Sequence, residues 1–434
     1  MRILVLSVNY WPEDTGIGPI ITWRCEFLAA RGHEVTVCTT FPYYPQWRVT
    51  QSYRGRLWER EVRNRVAILR SWAWIPRRVS SLKRMLFEAS FLPGNLVRAM
   101  SAGKPDLLLI ESPPLGLAAT AGWLSRWWKV PYIYDVMDLQ PDAAAELDML
   151  QPGTMLRKLY RLERLAYERA ALVSTLTEGI RRRIVAKSVP AEKVTLFPPR
   201  ADRALFAISR GDGCDFRRAH GLADKFIVAH SGNMGVKQGL EVIVEAARLS
   251  RDWPEIVYLL VGDGARRAAL EARVAAYGLP NVRFLPVLPQ EQFRQMLAAV
   301  DIGLITQQRS VSDIVFPSKT ATLLAAGCPV IASVSAGSEV AQTVEDSGGG
   351  RLVAPENSAA LFAAILSLRN DTPGLAAMSA AGRRYAREHW DENHILPFME
   401  SELLRVAGKL LPARKPALAA VAALSSRQRS VRSG

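Results

Sequence analysis

Residues 228–246, VAHSGNMGVKQGLEVIVEA, pass from a short apolar run through a glycine-bearing loop into an amphipathic helix. The loop holds Gly232, Asn233, Gly235, Lys237 and Gly239. Glycine lets a backbone approach a ligand closely, and Lys237 can set a positive charge against a phosphate. The segment reads equally as a plain strand-to-helix turn, and on the loop alone both readings stand.

The same unit recurs outward in both directions. FIVAHSG, IVYLLVGDG, VRFLPVL, IGLIT, PVIASV and GRLVAP follow one another from residue 226 to 355. An earlier series, RILVLSV, EVTVCTT, DLLLIES, YIYDVMD, LVSTLT and KVTLFPP, fills residues 2 to 199. Apolar runs of this length, separated by helical stretches, mark buried parallel strands in βαβ units. Helices such as GLEVIVEAARLSRDWP and ARRAALEARVAAYGLP stop at glycine or proline, the ordinary punctuation. The expected fold class is α/β, with two Rossmann-like doubly wound domains facing across a cleft at the C-terminal ends of their strands. The boundary falls near FAISRGDGCD, giving domains at 1–205 and 206–389. A helix at about 390–411 is expected to return to the first domain, and 412–434 reads as a basic, low-complexity tail.

Composition narrows the class. The chain has 434 residues and a net charge of +15, and its four cysteines are scattered, unlike a zinc site or disulfide framework. The opening MRILVLSVNYWPE lacks the pattern of a secretory signal, and the longest apolar stretch is broken by Glu111 and Pro113–Pro114. A cytoplasmic protein is expected. The basic excess is local: residues 54–104 hold 12 basic and 3 acidic side chains. With Trp58, Trp72 and Trp74 interleaved, and Arg77, Arg78, Lys83 and Arg84 leading into MLFEASF, this stretch suits an anionic membrane face. Ordinary core packing is the other reading of the aromatics. No nucleic-acid recognition motif accompanies the charge.

Two further segments carry candidate chemistry. LLVGDGARRAAL places Gly262 and Gly264 at a strand end, a weak signal that tight packing alone would also explain, and it lacks the third glycine of a dinucleotide fingerprint. FPSKTATLLAAGCPVIAS reads as a helix entry, with Pro317 at the turn, Ser318 as N-cap and Lys319 adjacent. Amides and dipole there suit a diphosphate. In the first domain, IYDVMDLQPD sets Asp135, Asp138 and Asp142 just past a strand end, where a carboxylate could orient a hydroxyl or take its proton, or simply cap the next helix.

These segments, in this order, resemble the donor lobe of glycosyltransferase family 4, a family with the GT-B fold. NYWPEDTGIGPIITWRCEFLAARGHEVTVCT is similar to its opening strand, loop and helix. YYPQW, SLKRMLFEASF, ESPPLG, DLQPDAAAEL and FPSK resemble bacterial exopolysaccharide and O-antigen members, nearest the colanic-acid fucosyltransferase branch. The resemblance implies transfer of a sugar from a UDP- or GDP-sugar, with retention at the anomeric carbon, to a polyprenyl-diphosphate-linked saccharide. It implies a protein peripherally bound to the inner face of the cytoplasmic membrane. Gly16 and Gly18 would let the first loop approach the sugar, and Asp138 stands where members carry an acidic residue. Asn233 and Lys237 occupy the places of an Arg and a Lys on the diphosphate. Ile314 and Thr322 occupy those of two glutamates; Asp313 could replace the first, and Thr322 could bind ribose. No DxD pattern is placed for a metal, so no cofactor or divalent ion is expected. Two alternatives remain: a GT-B-type nucleotide-sugar epimerase, and a two-lobed solute-binding protein, which should carry an export signal.

Overall fold

A computed structural model describes residues 1–14, 16–78, 80–146, 153–311 and 316–408. Asp313, Ile314 and the 412–434 segment therefore lie outside the described residues. The chain forms two sheets. The first contains β1 Arg2–Leu6, β2 Glu34–Thr40, β3 Trp58–Arg63, β4 Val66–Ser71, β5 Leu107–Ser112, β6 Tyr132–Val136, β7 Leu172–Thr175 and β8 Val194–Leu196. Their spatial order is β3-β4-β2-β1-β5-β6-β7-β8, parallel except for the β3–β4 hairpin. The second holds β9 Phe226–Ser231, β10 Ile256–Val261, β11 Val282–Leu285, β12 Ile302–Thr306, β13 Val330–Ser333 and β14 Gly350–Val353, in the order β11-β10-β9-β12-β13-β14, all parallel.

Helices cover both faces of each sheet, so the central strands are largely apolar. β5 and β10 are buried at every position. Register sets Leu4 of β1 between Thr36 and Leu108. Leu6, Phe91, Leu117 and Tyr134 meet on one face of the first sheet, and Val5, Leu28, Ile133 and Leu403 on the other. A buried ion pair fixes that second face. Arg24 lies 2.5 Å from Asp135, which also accepts from Ser174, while Arg24 donates to the Phe197 carbonyl. Removing either partner would leave a buried charge alone, at a cost of about 3–5 kcal/mol.

The hairpin β3–β4 departs from the sequence reading of residues 54–104 as a stretch suited to an anionic membrane face. WEREVR is an edge strand, turning through Asn64 and Arg65 at positive φ. Much of the local positive charge is structural. Arg70 is fully buried, donating to Glu61 and to the carbonyls of Thr40 and Trp11. Arg98 binds two carbonyls and lies 5.2 Å from the Trp58 ring.

The chain crosses between the lobes twice. It first leaves β8 for the second sheet through residues 197–225. At Trp390 it comes back, with the Ala201 amide on the Trp390 carbonyl at 3.0 Å and a bridge from Ala201 to Asp391. The helix Glu392–Val406 then lays Leu396, Met399 and Leu403 on the first lobe, and Glu400 binds Arg31 and His33 there.

Candidate active site

The loops after β9 and β10 interlock at the C-terminal edge of the second sheet. The Gly232 amide donates to Val261, Met234 to the Asp263 carbonyl, and Arg266 to the Met234 carbonyl. Gly262 has φ +133, and a Cβ there would lie 2.0 Å from the Gly232 oxygen. At Gly264 a Cβ would meet the Asn233 side chain and Met234 at 2.6 Å. Both glycines thus have a packing reason to be glycine, and their side is turned to the neighbouring loop.

The helix Lys319–Ala326 brings a charge to these loops. Lys319 Nζ sits 3.2 and 3.3 Å from the two ring nitrogens of His230, the buried penultimate residue of β9. It also lies over Gly232, where a Cβ would stand 3.7 Å from Nζ. Burial and the adjacent lysine hold His230 well below the usual histidine range, so it is neutral. Burial likewise pushes Lys319 down to about 7. Ser318 corrects the sequence reading. Its φ and ψ are already helical and its side chain makes no cap hydrogen bond, so Pro317 accepts instead, from the Thr320 amide at 2.9 Å. The Thr322 hydroxyl turns back to the Ser318 carbonyl at 3.4 Å and keeps lone pairs for another donor.

Across the cleft, the three first-lobe carboxylates separate. Asp135 is buried in its pair with Arg24, and Asp142 is bound to Lys187, which also holds Glu163. Both are structural. Asp138 alone has no hydrogen-bond partner among the described residues. Burial raises its pKa, against the pull of Lys237 from the opposite lobe and of Arg84. Lys237 in turn is lowered by burial and Arg84 and raised by Asp138. Arg84, partly exposed, therefore also acts on the cleft. Glu88 pairs with it at 3.2 Å, and Gln140 holds Glu88. Trp74, Arg77, Arg78 and Lys83 remain exposed nearby.

Residues the sequence reading passed over complete the cleft. Glu13 accepts from the amides of Tyr43 and Tyr44, both at 2.9 Å, and from Asn9. It fills the space that a Cβ at Gly18 would enter, and Gly16 packs on the Tyr44 ring. Glu339, from the second lobe, accepts from Thr177 and from the amides of Glu178 and Gly179, tying the lobes at a helix N-terminus. Nothing in the local sequence marks Glu339, because its partners lie in the other half of the chain. Among the described residues, no three His, Cys, Asp or Glu side chains gather as they would around a metal.

A cleft edge with a lysine at a helix start, amides above it and a second lysine opposite a carboxylate can hold a diphosphate. Such an anion beside Lys319 would favour its charged form. Diphosphate binding is then expected to take up a proton above about pH 7. The association constant should fall up to about tenfold per pH unit there and stay level below. Calorimetry in buffers of differing ionisation enthalpy measures the uptake, and none at about pH 8 would remove Lys319 from the contact.

Comparison with known proteins agrees with this architecture. Residues 15–200 match the Glycosyl transferase 4-like domain, and residues 225–371 match Glycosyl transferases group 1. The chain is 33% identical over 406 residues to an Escherichia coli K12 protein named "Putative colanic acid biosynthesis glycosyl transferase WcaI", covering 91% of this chain and 98% of that one. Sucrose-phosphate synthase from Thermosynechococcus elongatus superposes with a TM-score of 0.74 at 20% identity, over 94% of this chain and 100% of its own. Anabaena HepE in complex with UDP-glucose gives 0.69 at 17% identity, over 93% and 100%. These relatives lend no support to the epimerase or solute-binding readings. Two family matches in the order of the two lobes, and a relative shared along nearly its whole length, place the chain in glycosyltransferase family 4: it is a glycosyltransferase of the GT-B fold.

Proposed function

We propose that this glycosyltransferase moves a sugar from a UDP- or GDP-sugar to a polyprenyl-diphosphate-linked saccharide in bacterial exopolysaccharide or O-antigen synthesis, with retention. The observation that carries the reading is the opposition of Asp138 and Lys237 across the cleft, beside the Lys319 helix start. The naming of the E. coli relative and the UDP-glucose complex of HepE support it. Before donor enters, Lys237 is the counter-ion of Asp138. A diphosphate draws Lys237 to itself, and Asp138 is left to accept from the acceptor hydroxyl. Attack at the anomeric carbon from the leaving-group face breaks the sugar–phosphate bond. Asp138 takes the hydroxyl proton as the new bond forms. Lys237, Lys319 and the loop amides neutralise the charge on the departing diphosphate without a divalent metal. Thr322, Asn233 and Asp313 are the proposed ribose and phosphate neighbours.

A thermal-shift panel of UDP, GDP, dTDP, CMP and NAD, each with EDTA, tests this. A rise with UDP or GDP names the base, since a ligand of the folded state stabilises it. A rise with NAD alone overturns the reading.

We place the acceptor on a membrane. No described helix is long and apolar enough to cross one. Leu82 and Leu86 are instead exposed on the helix Ser81–Ala102, beside Trp74 and the basic Arg77, Arg78 and Lys83. Each basic residue near an anionic surface contributes about 1 kcal/mol, so Arg77→Gln/Arg78→Gln/Lys83→Gln should weaken binding to phosphatidylglycerol vesicles by about 100-fold. Unchanged co-sedimentation would dismiss this face.

A further inference from the structure

Away from the cleft, a cavity of about 980 Å³ lies under the helix Thr372–Trp390. Arg210, Arg369, Arg383, Arg384 and Arg387 line it, with Asp301 and Glu388 as its carboxylates. Phe226 and Asp301 stand at the N-terminal ends of β9 and β12, whereas the donor loop follows Ser231 at the other end of β9. Five strand steps separate the two, about 17 Å. The two sites are distinct.

The charges in this groove do not balance. Asp301 is taken by Arg210 at 2.7 Å and Arg217 at 2.8 Å, and Arg369 holds Glu255 at 2.8 Å. Arg383, Arg384 and Arg387 have no ion-pair partner among the described residues. Arg383 gives one nitrogen to the carbonyls of Ile208 and Ala326, yet its Nε is buried without an acceptor. Arg383 and Arg387 stand one helical turn apart, a like-charge pairing that costs stability, and Arg387 presses the Arg383 guanidinium further down. Guanidinium forks match phosphate oxygens in geometry. Leu375, Ala376 and Phe226 add an apolar wall for a ring. The volume suits a metabolite rather than a bare ion.

We propose that this groove binds a phosphorylated small molecule, a sugar phosphate or a nucleotide, on Arg383, Arg384 and Arg387. The ligand would sit at the far end of the helix that begins at Lys319, because Arg383 donates to Ala326, the last residue of that helix, at 2.6 Å. The test is calorimetric titration of the full chain and of Arg384→Gln/Arg387→Gln with glucose 6-phosphate and, separately, with UDP. The double change touches two exposed side chains and leaves Arg383 in place, and the melting temperature checks the fold. Glucose 6-phosphate binding weakened at least about tenfold in the double variant assigns the groove to a sugar phosphate. A second UDP event that disappears while the first remains assigns it to a nucleotide. Isotherms identical to wild type for both compounds overturn the site, as does the lack of any event beyond one for UDP.

Discussion

Lys319→Ala is expected to raise the donor dissociation constant by about 10- to 100-fold, the worth of a charge-assisted hydrogen bond to phosphate. Turnover should fall further, because charge on the leaving diphosphate is greatest in the transition state; losing one preorganised donor costs about 10²–10³ in rate. The size of the effect should itself depend on pH. Below about 7 the wild-type side chain is charged before donor arrives, and the variant loses its full contribution. Above that, the wild type must first bind a proton, and the gap narrows. A donor constant equal to that of wild type at about pH 6 would take Lys319 out of the site. His230, neutral and in contact with Nζ, leaves the lysine as the cation that meets the phosphate.

Asp138→Asn should behave in the opposite sense on binding. It removes the charge that holds Lys237, so donor affinity should stay level or improve, while turnover falls about 10²–10⁴-fold for a group that handles the acceptor proton. Burial raises the Asp138 pKa. The wild-type rate therefore needs the ionised carboxylate and should decline, as pH falls, earlier than an ordinary carboxylate would dictate. That acid limb should vanish in the variant. Full turnover in Asp138→Asn, or an unchanged acid limb, would assign the residue to capping or solvation of its loop.

The fold was legible where burial writes it into composition. A parallel strand covered on both faces must be largely apolar, so DLLLIES and IVYLLVG announce themselves. The edge strand WEREVR carries four charges in six residues and sits at the end of the sheet, so it resembles a solvated segment. The site was half legible. Lys237 lies in a loop whose glycines mark it, and Lys319 follows the Pro317–Ser318 entry of a helix. The choice among Asp135, Asp138 and Asp142 was not open to sequence, since it depends on Arg24 and Lys187, each distant along the chain. Glu339, and the pull of Arg84 on the cleft, were hidden for the same reason: each acts on the opposite lobe.

The double passage of the backbone between the lobes limits how they can move. A single strand of chain would be a swivel, free to twist as well as bend. Two strands pinned side by side at Ala201 and Trp390 act as paired knuckles on one pin. Twisting strains one against the other, and only opening and closing remain cheap. Each closure then returns Asp138 to the same place before Lys237, so that alignment is inherited from the connectivity and need not be found again in every cycle.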